Sequence, residues 1–197
     1  MDNFWFFLDQ GFYHVLDWNA YDHLLFLVVL AVPYTINHWK KLLTLITLFT
    51  IGHTLSLTLS AFEVVKVNMS IIEFFIPLTI LLTALYNIIR LRKKQNQDKL
   101  WAHWSATFIF GIIHGFGFST LFKMMTASAT NKGSLLLAYT LGIEFAQIVI
   151  VLAMVLISLF TVSFLRFPAR DWTIIISAIV IGRILPILAE SFSALSI

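Results

Sequence analysis

Apolar residues run almost unbroken through Leu42–Ala61, Ile71–Ile89, Ala102–Phe122, Leu135–Phe160 and Trp172–Ala189, with a shorter run at Asp22–Ile36. The hydrocarbon core of a bilayer is about 30 Å thick, and a helix needs about 20 mostly apolar residues to cross it. No water is available inside it to unpaired backbone groups, so a crossing segment must satisfy its own N–H and C=O groups. These runs predict an all-α, polytopic transmembrane bundle of six spans, with residues 1–197 forming a single transmembrane domain. Composition agrees, at 59% hydrophobic and 12% charged residues. A soluble domain carries roughly twice that charge.

The segment Phe4–Leu16 either lengthens the first run or forms a separate helix at the interface. Its aromatic residues Phe4, Trp5, Phe6, Phe7, Phe12 and Tyr13, with Trp18 beyond, suit a membrane boundary. If it crosses independently, the spans number seven and the amino terminus changes side. The start, MDNFWFFLDQ, has no basic n-region and no small-residue cleavage site, so it reads as retained structure.

Charge sets the orientation. Lys40, Lys41, Arg90, Arg92, Lys93, Lys94, Lys99, Arg166 and Arg170 fall in three alternate loops. The other side carries Lys66, Lys123 and Lys132 together with Asp2, Asp9, Asp17 and Glu63. The positive-inside rule then places both termini outside in the six-span arrangement. The basic loop RLRKKQNQDK is a topology determinant before it is a lipid-binding segment. The net charge of +3 comes from these flanking residues, so nucleic acid is not an expected partner. The bilayer is one, and a homo-oligomer is compatible with the sequence. Pro77 and Pro186 fall inside spans and predict kinks. Gly111 and Gly115 form a small-xxx-small pair that lets another helix approach closely.

Ionisable groups within a bilayer cost at least about 2.5–3.5 kcal/mol each, so they tend to be paired and functional. At 1.5 Å per residue, His53, His114 and Glu144 all fall near mid-membrane, and Asp22 and His23 open the first span. His23, His53, His114, Glu144 and Asp22 are the candidate metal ligands, while His14, Glu73 and Gln147 are secondary or access groups. Thr50, His53, Ser56 and Ser60 share one helix face, as do Thr140, Glu144 and Gln147. Imidazole and carboxylate donors suit Ni²⁺, Co²⁺ or Zn²⁺; with no cysteine, a soft Cu(I) site is disfavoured.

The bland readings stand beside these. A lone buried histidine is more often a packing residue than a ligand. His38 and His103 lie beside Trp39, Trp101 and Trp104 and read as interfacial anchors. Glu73 also suits a helix N-terminus, where the dipole favours an acid, and Arg183 is either a counter-ion or a cavity residue. Each carboxylate-bearing span (Asp22, Glu73, Glu144) precedes one with a basic group beside or near glycine (His53, His114, Arg183). That order suggests a weak repeat of three helical hairpins around one axis.

At these residues the chain resembles the HupE/UreJ family of hydrogenase- and urease-accessory membrane proteins, in particular its shorter bacterial branch. The matching stretches are GFYHVLDWNAYDHLLF at Gly11–Phe26, FTIGHTLSLTLS at Phe49–Ser60, IEFFIPLTILLTALYN at Ile72–Asn87, FGIIHGFGFS at Phe110–Ser119 and LGIEFAQ at Leu141–Gln147. The resemblance implies a bacterial inner-membrane permease for nickel or cobalt. It places the family's His…Asp-His motif on His14, Asp22 and His23, and its His-Gly motif on His114 and Gly115. The chain departs from nickel-associated members in a longer His14-to-Asp22 spacing. It also has Phe116, Gly117 and Phe118 where those members carry a second histidine and a nearby acid.

Three function classes are therefore in play: a divalent-metal permease, an intramembrane zinc-dependent hydrolase, and a non-transporting assembly or sensor protein. The P-loop pattern GxxxxGK[ST] is absent, so a permease of this kind does not hydrolyse ATP through one.

Overall fold

A computed structural model describes residues 2–17, 21–93, 100–127, 129 and 131–195. Trp18 and the basic loop from Lys94 to Lys99 lie outside the described residues. Among those described the chain is helical, in the order α1 (Asp2–Leu16), α2 (Asp22–Ala31), α3 (Trp39–Ala61), α4 (Met69–Lys93), α5 (Leu100–Met125), α6 (Lys132–Leu159) and α7 (Ala169–Leu195). A 3₁₀ turn at Ile36–His38 leads into α3, and a π-helical turn at Phe160–Phe164 extends α6.

Among the described residues, five helical segments are long and apolar enough to cross a bilayer: Ile36–Ala61, Met69–Leu91, Trp101–Met125, Lys132–Phe164 and Ala169–Leu195. The first expected span is different. It stops at Ala31 after 10 residues, about 15 Å, or half the hydrocarbon thickness. Pro33 is the reason, because it has no N–H to continue the ladder. The last helical bond runs from Val32 N to Val28 O at 3.0 Å, and Tyr34 N turns back to Ala31 O at 2.9 Å. The Phe4–Leu16 segment is a helix of its own, α1, and does not lengthen α2.

Glycine governs how the helices pair. The most extensive contacts join α3 with α5, α1 with α6, and α4 with α7. These are not consecutive hairpins, so the hairpin repeat expected from residue order does not describe the packing. A Cβ on Gly52 would run into the carbonyl of Phe108, one on Gly111 into that of Phe49, and one on Gly115 into His53. The backbones of α3 and α5 touch there, as the Gly111–Gly115 spacing leads one to expect. The same device closes α1 on α6, where Gly11 meets Tyr139 and Gly142 meets Leu8.

Two apolar clusters fill the interior. One gathers Phe7, Val15, Leu57, Phe122, Tyr139 and Ile143 around α1, α3, α5 and α6. The other joins Phe26, Phe49, Ile80, Val180 and Ile184 across α2, α3, α4 and α7. Asn87 on α4 donates to the Val29 carbonyl at 2.7 Å, tying α4 to α2. Large apolar side chains such as Phe145, Leu152 and Ile179 face outward, as lipid-facing residues do.

Candidate metal centre

The break between α1 and α2 builds the site. His14 stands in the last turn of α1 and His23 in the first turn of α2. Interrupted helices are tolerated at membrane depth where they line a protein-enclosed cavity or ligand site. His53 comes from the middle of α3, held there by the glycine contacts with α5.

The ligand atoms of His14, His23 and His53 all lie within 4.8 Å of one another. Ring centroids are 4.7 Å apart for His14 and His23, 5.4 Å for His23 and His53, and 6.0 Å for His14 and His53. His53 is fully enclosed and His23 nearly so. Nε2 of His14, Nε2 of His23 and both ring nitrogens of His53 are buried without a hydrogen-bond partner. Buried polar atoms are almost always satisfied, so several orphaned imidazole nitrogens converging on one point call for a ligand.

His114 adjoins this set, its ring 5.1 Å from that of His23. Its Nε2 lies 3.0 Å from Thr79 Oγ1. The Thr79 hydroxyl donates its proton to the Ile76 carbonyl at 2.7 Å, so toward His114 it acts as acceptor. That assigns the His114 proton to Nε2 and leaves the Nδ1 lone pair free, buried and without a partner. Phe26 and Phe49 close this side, with ring centroids 5.3 and 5.2 Å from His114.

The carboxylates sit elsewhere. Asp22 opens α2, half-buried. Glu144 accepts from Thr47 Oγ1 at 2.8 Å, between α3 and α6. Neither belongs, among the described residues, to the set of mutually close ligand atoms. Gln147, fully buried, accepts from Thr50 at 2.9 Å on the same seam. Glu73 is exposed near the start of α4. His38 is exposed beside Thr35, His103 packs against Tyr86 near the N-terminal end of α5, and Arg183 lies over the Tyr21 ring at 4.9 Å.

His14 takes a more central place than the access role expected for it. The signal was present in the His14…Asp22-His23 motif, but it depends on a helix break that apolar periodicity does not show. Tyr139 was not singled out at all. It is buried with its hydroxyl unpartnered, its ring 5.9 Å from His14 and stacked on Phe118. A cavity of about 400 Å³ lined by Gln10, Tyr13, His14, Leu16, Asp17, Phe118 and Leu121 reaches the imidazole set at His14.

Chemically, three neutral imidazoles with room for further ligands hold a borderline divalent ion well. Comparisons with curated proteins and with solved structures find no match to this chain. The family model described as HupE / UreJ protein matches residues 1–189, and the chain belongs to that family.

Proposed function

We propose that the protein is a permease for a divalent transition metal, nickel or cobalt first, in the bacterial inner membrane. The convergence of His14, His23 and His53, three imidazoles from three helices, carries this reading. Family membership supports it. The cation enters through the cavity beside His14, drawn by Asp9, Asp17 and Asp22. It exchanges part of its hydration shell for the imidazoles of His14, His23 and His53, with the free Nδ1 of His114 next to them. Glu144 contributes negative charge along α6.

The topology that goes with this function has six membrane-crossing units, α1 and α2 together forming the first, and both termini outside. Lys40, Lys41, Arg90, Arg166 and Arg170 face the cytoplasm. Because the chain has no cysteine, single cysteines introduced at Lys66 and Lys41 report sidedness directly by impermeant maleimide labelling. Labelling of Lys41→Cys from outside would reverse the topology.

Metal uptake into proteoliposomes tests the function. Wild-type protein accumulates labelled Ni²⁺ or Co²⁺, and His23→Ala and His53→Ala do not. Equal uptake by wild type and both variants would overturn the reading.

One observation favours a second reading, an intramembrane zinc hydrolase. An all-imidazole triad with an open coordination position is also a catalytic zinc arrangement, in which the metal activates water. Zinc that stays stoichiometric through chelation and purification supports the hydrolase, whereas readily exchanged metal supports the permease.

A further inference from the structure

A second polar feature runs beside the imidazole set, on the seam between α3 and α6. Thr54 Oγ1 and Thr140 Oγ1 are 3.0 Å apart, level with His53. One turn toward the α3 N-terminus, Thr50 donates to Gln147 Oε1 at 2.9 Å. One turn further, Thr47 donates to Glu144 Oε1 at 2.8 Å. Thr50 lies angularly between His53 and Thr47 on α3, so the line begins at the imidazole set and leads away from it.

Two atoms on this line lack partners. Glu144 Oε2 is buried and accepts nothing, and the Nε2 of fully buried Gln147 donates to nothing. No lysine or arginine among the described residues pairs with Glu144. A carboxylate inside a bilayer needs compensating positive charge, and a buried amide N–H needs an acceptor. A partly hydrated cation meets both demands. Its charge would face Glu144 Oε2, and an outer-shell water, hydrogen-bonded to the ion's own waters but not coordinated to it, would keep a lone pair to accept from Gln147 Nε2.

We infer that Glu144, Gln147, Thr47 and Thr50 form a second cation station, built of oxygen donors, through which a divalent ion leaves the imidazole set toward the N-terminal end of α3. The inference rests on the permease reading for its direction of travel. Its chemistry is independent of the histidines. Passage through a membrane needs sites favourable enough to occupy and weak enough to vacate, and more than one of them. Three imidazoles hold nickel or cobalt firmly, whereas a single carboxylate with hydroxyls holds a hydrated ion loosely. The station offers the ion a step down in affinity on its way out.

Mn²⁺ separates the two sites, because it prefers oxygen donors and binds imidazole weakest of the transition metals considered. Mn²⁺ is titrated by electron paramagnetic resonance into the full chain in nanodiscs, each variant first passing size exclusion and thermal melting. Wild type binds one Mn²⁺, and His53→Ala keeps that affinity within about twofold, as expected for separate sites. Glu144→Gln weakens it at least about tenfold, and Thr47→Val, which keeps shape but loses the hydroxyl, by about fivefold. Loss of Mn²⁺ in His53→Ala, or its retention in both Glu144→Gln and Thr47→Val, would overturn the station. Failure of nickel uptake with this Mn²⁺ pattern intact would remove the permease and the direction of travel while leaving the site. Uptake without the pattern would do the reverse.

Discussion

His114 and Thr79 hold each other in a fixed protonation arrangement: Nε2 of the imidazole lies 3.0 Å from a hydroxyl whose own proton goes to the Ile76 carbonyl. In the proposed metal centre, Thr79 would act through His114 and not by touching the ion. Such outer partners set ring orientation and the nitrogen that carries the lone pair.

Thr79→Val removes the acceptor and keeps the shape. Nickel affinity in the purified protein, read by isothermal titration, falls by about tenfold, the lower end for loss of an outer-shell partner. Thr79→Ser keeps the hydroxyl and restores it, an outcome that a purely steric role would not produce.

Metal binding depends on neutral imidazole, and protons compete for the same lone pairs. Nickel affinity falls as pH is lowered and protons take up those lone pairs. Equilibrium dialysis at stepped pH measures it. Two or more imidazoles binding together give a slope steeper than one proton per metal, and a pH-independent affinity would exclude histidine ligation.

The helix contacts make separate demands on glycine. At Gly52 and Gly111 a side chain would meet backbone that cannot move aside. Gly52→Ala and Gly111→Ala each destabilise by about 1–3 kcal/mol and lower the melting temperature in detergent. Gly182, in α7, has nothing within 4 Å of an added Cβ. There the exchange to alanine is neutral or slightly stabilising, since glycine costs a helix about 0.5–1 kcal/mol.

Just past the end of α3, Glu63 Oε1 meets Lys123 Nζ, in the last turn of α5, at 3.0 Å. The hydrogen bond from Lys123, and then its charge, hold the Glu63 carboxyl below the ordinary carboxylate range. A lowered folded-state pKa gives stability that is present above the unfolded value and lost as pH falls through the folded one. The pair is exposed and screened by salt. Lys123→Ala thus lowers the melting temperature slightly at neutral pH in low salt. The difference vanishes in high salt, and again once acid protonates Glu63. Melting curves under the three conditions check each part.

The sequence exposed the parts of this protein that obey a single helical period. Counting along apolar runs placed His53 and His114 at matching depths, and the spacing of Gly111 and Gly115 marked a close helix contact. The seam was half visible. Thr140, Glu144 and Gln147 share a face by spacing alone, but their partners Thr47 and Thr54 become apparent only once α3 is seen against α6. The shortness of α2 was harder to read, because Leu24–Ala31 is as apolar as any span and only Pro33 signals the stop. The pairing of α1 with α6 and of α4 with α7 was not legible. Apolar stripes show that a helix has a buried face without naming the neighbour that covers it.

The two backbone-to-backbone crossings divide the imidazoles unevenly. His14 belongs to the α1–α6 clasp, whereas His53 and His114 belong to the α3–α5 clasp. Within a clasp, sliding is blocked by carbonyls lodged against hydrogen-only positions. Rocking of one clasp against the other would alter the gap between His14 and His53, the distance on which the proposed grip on a cation depends.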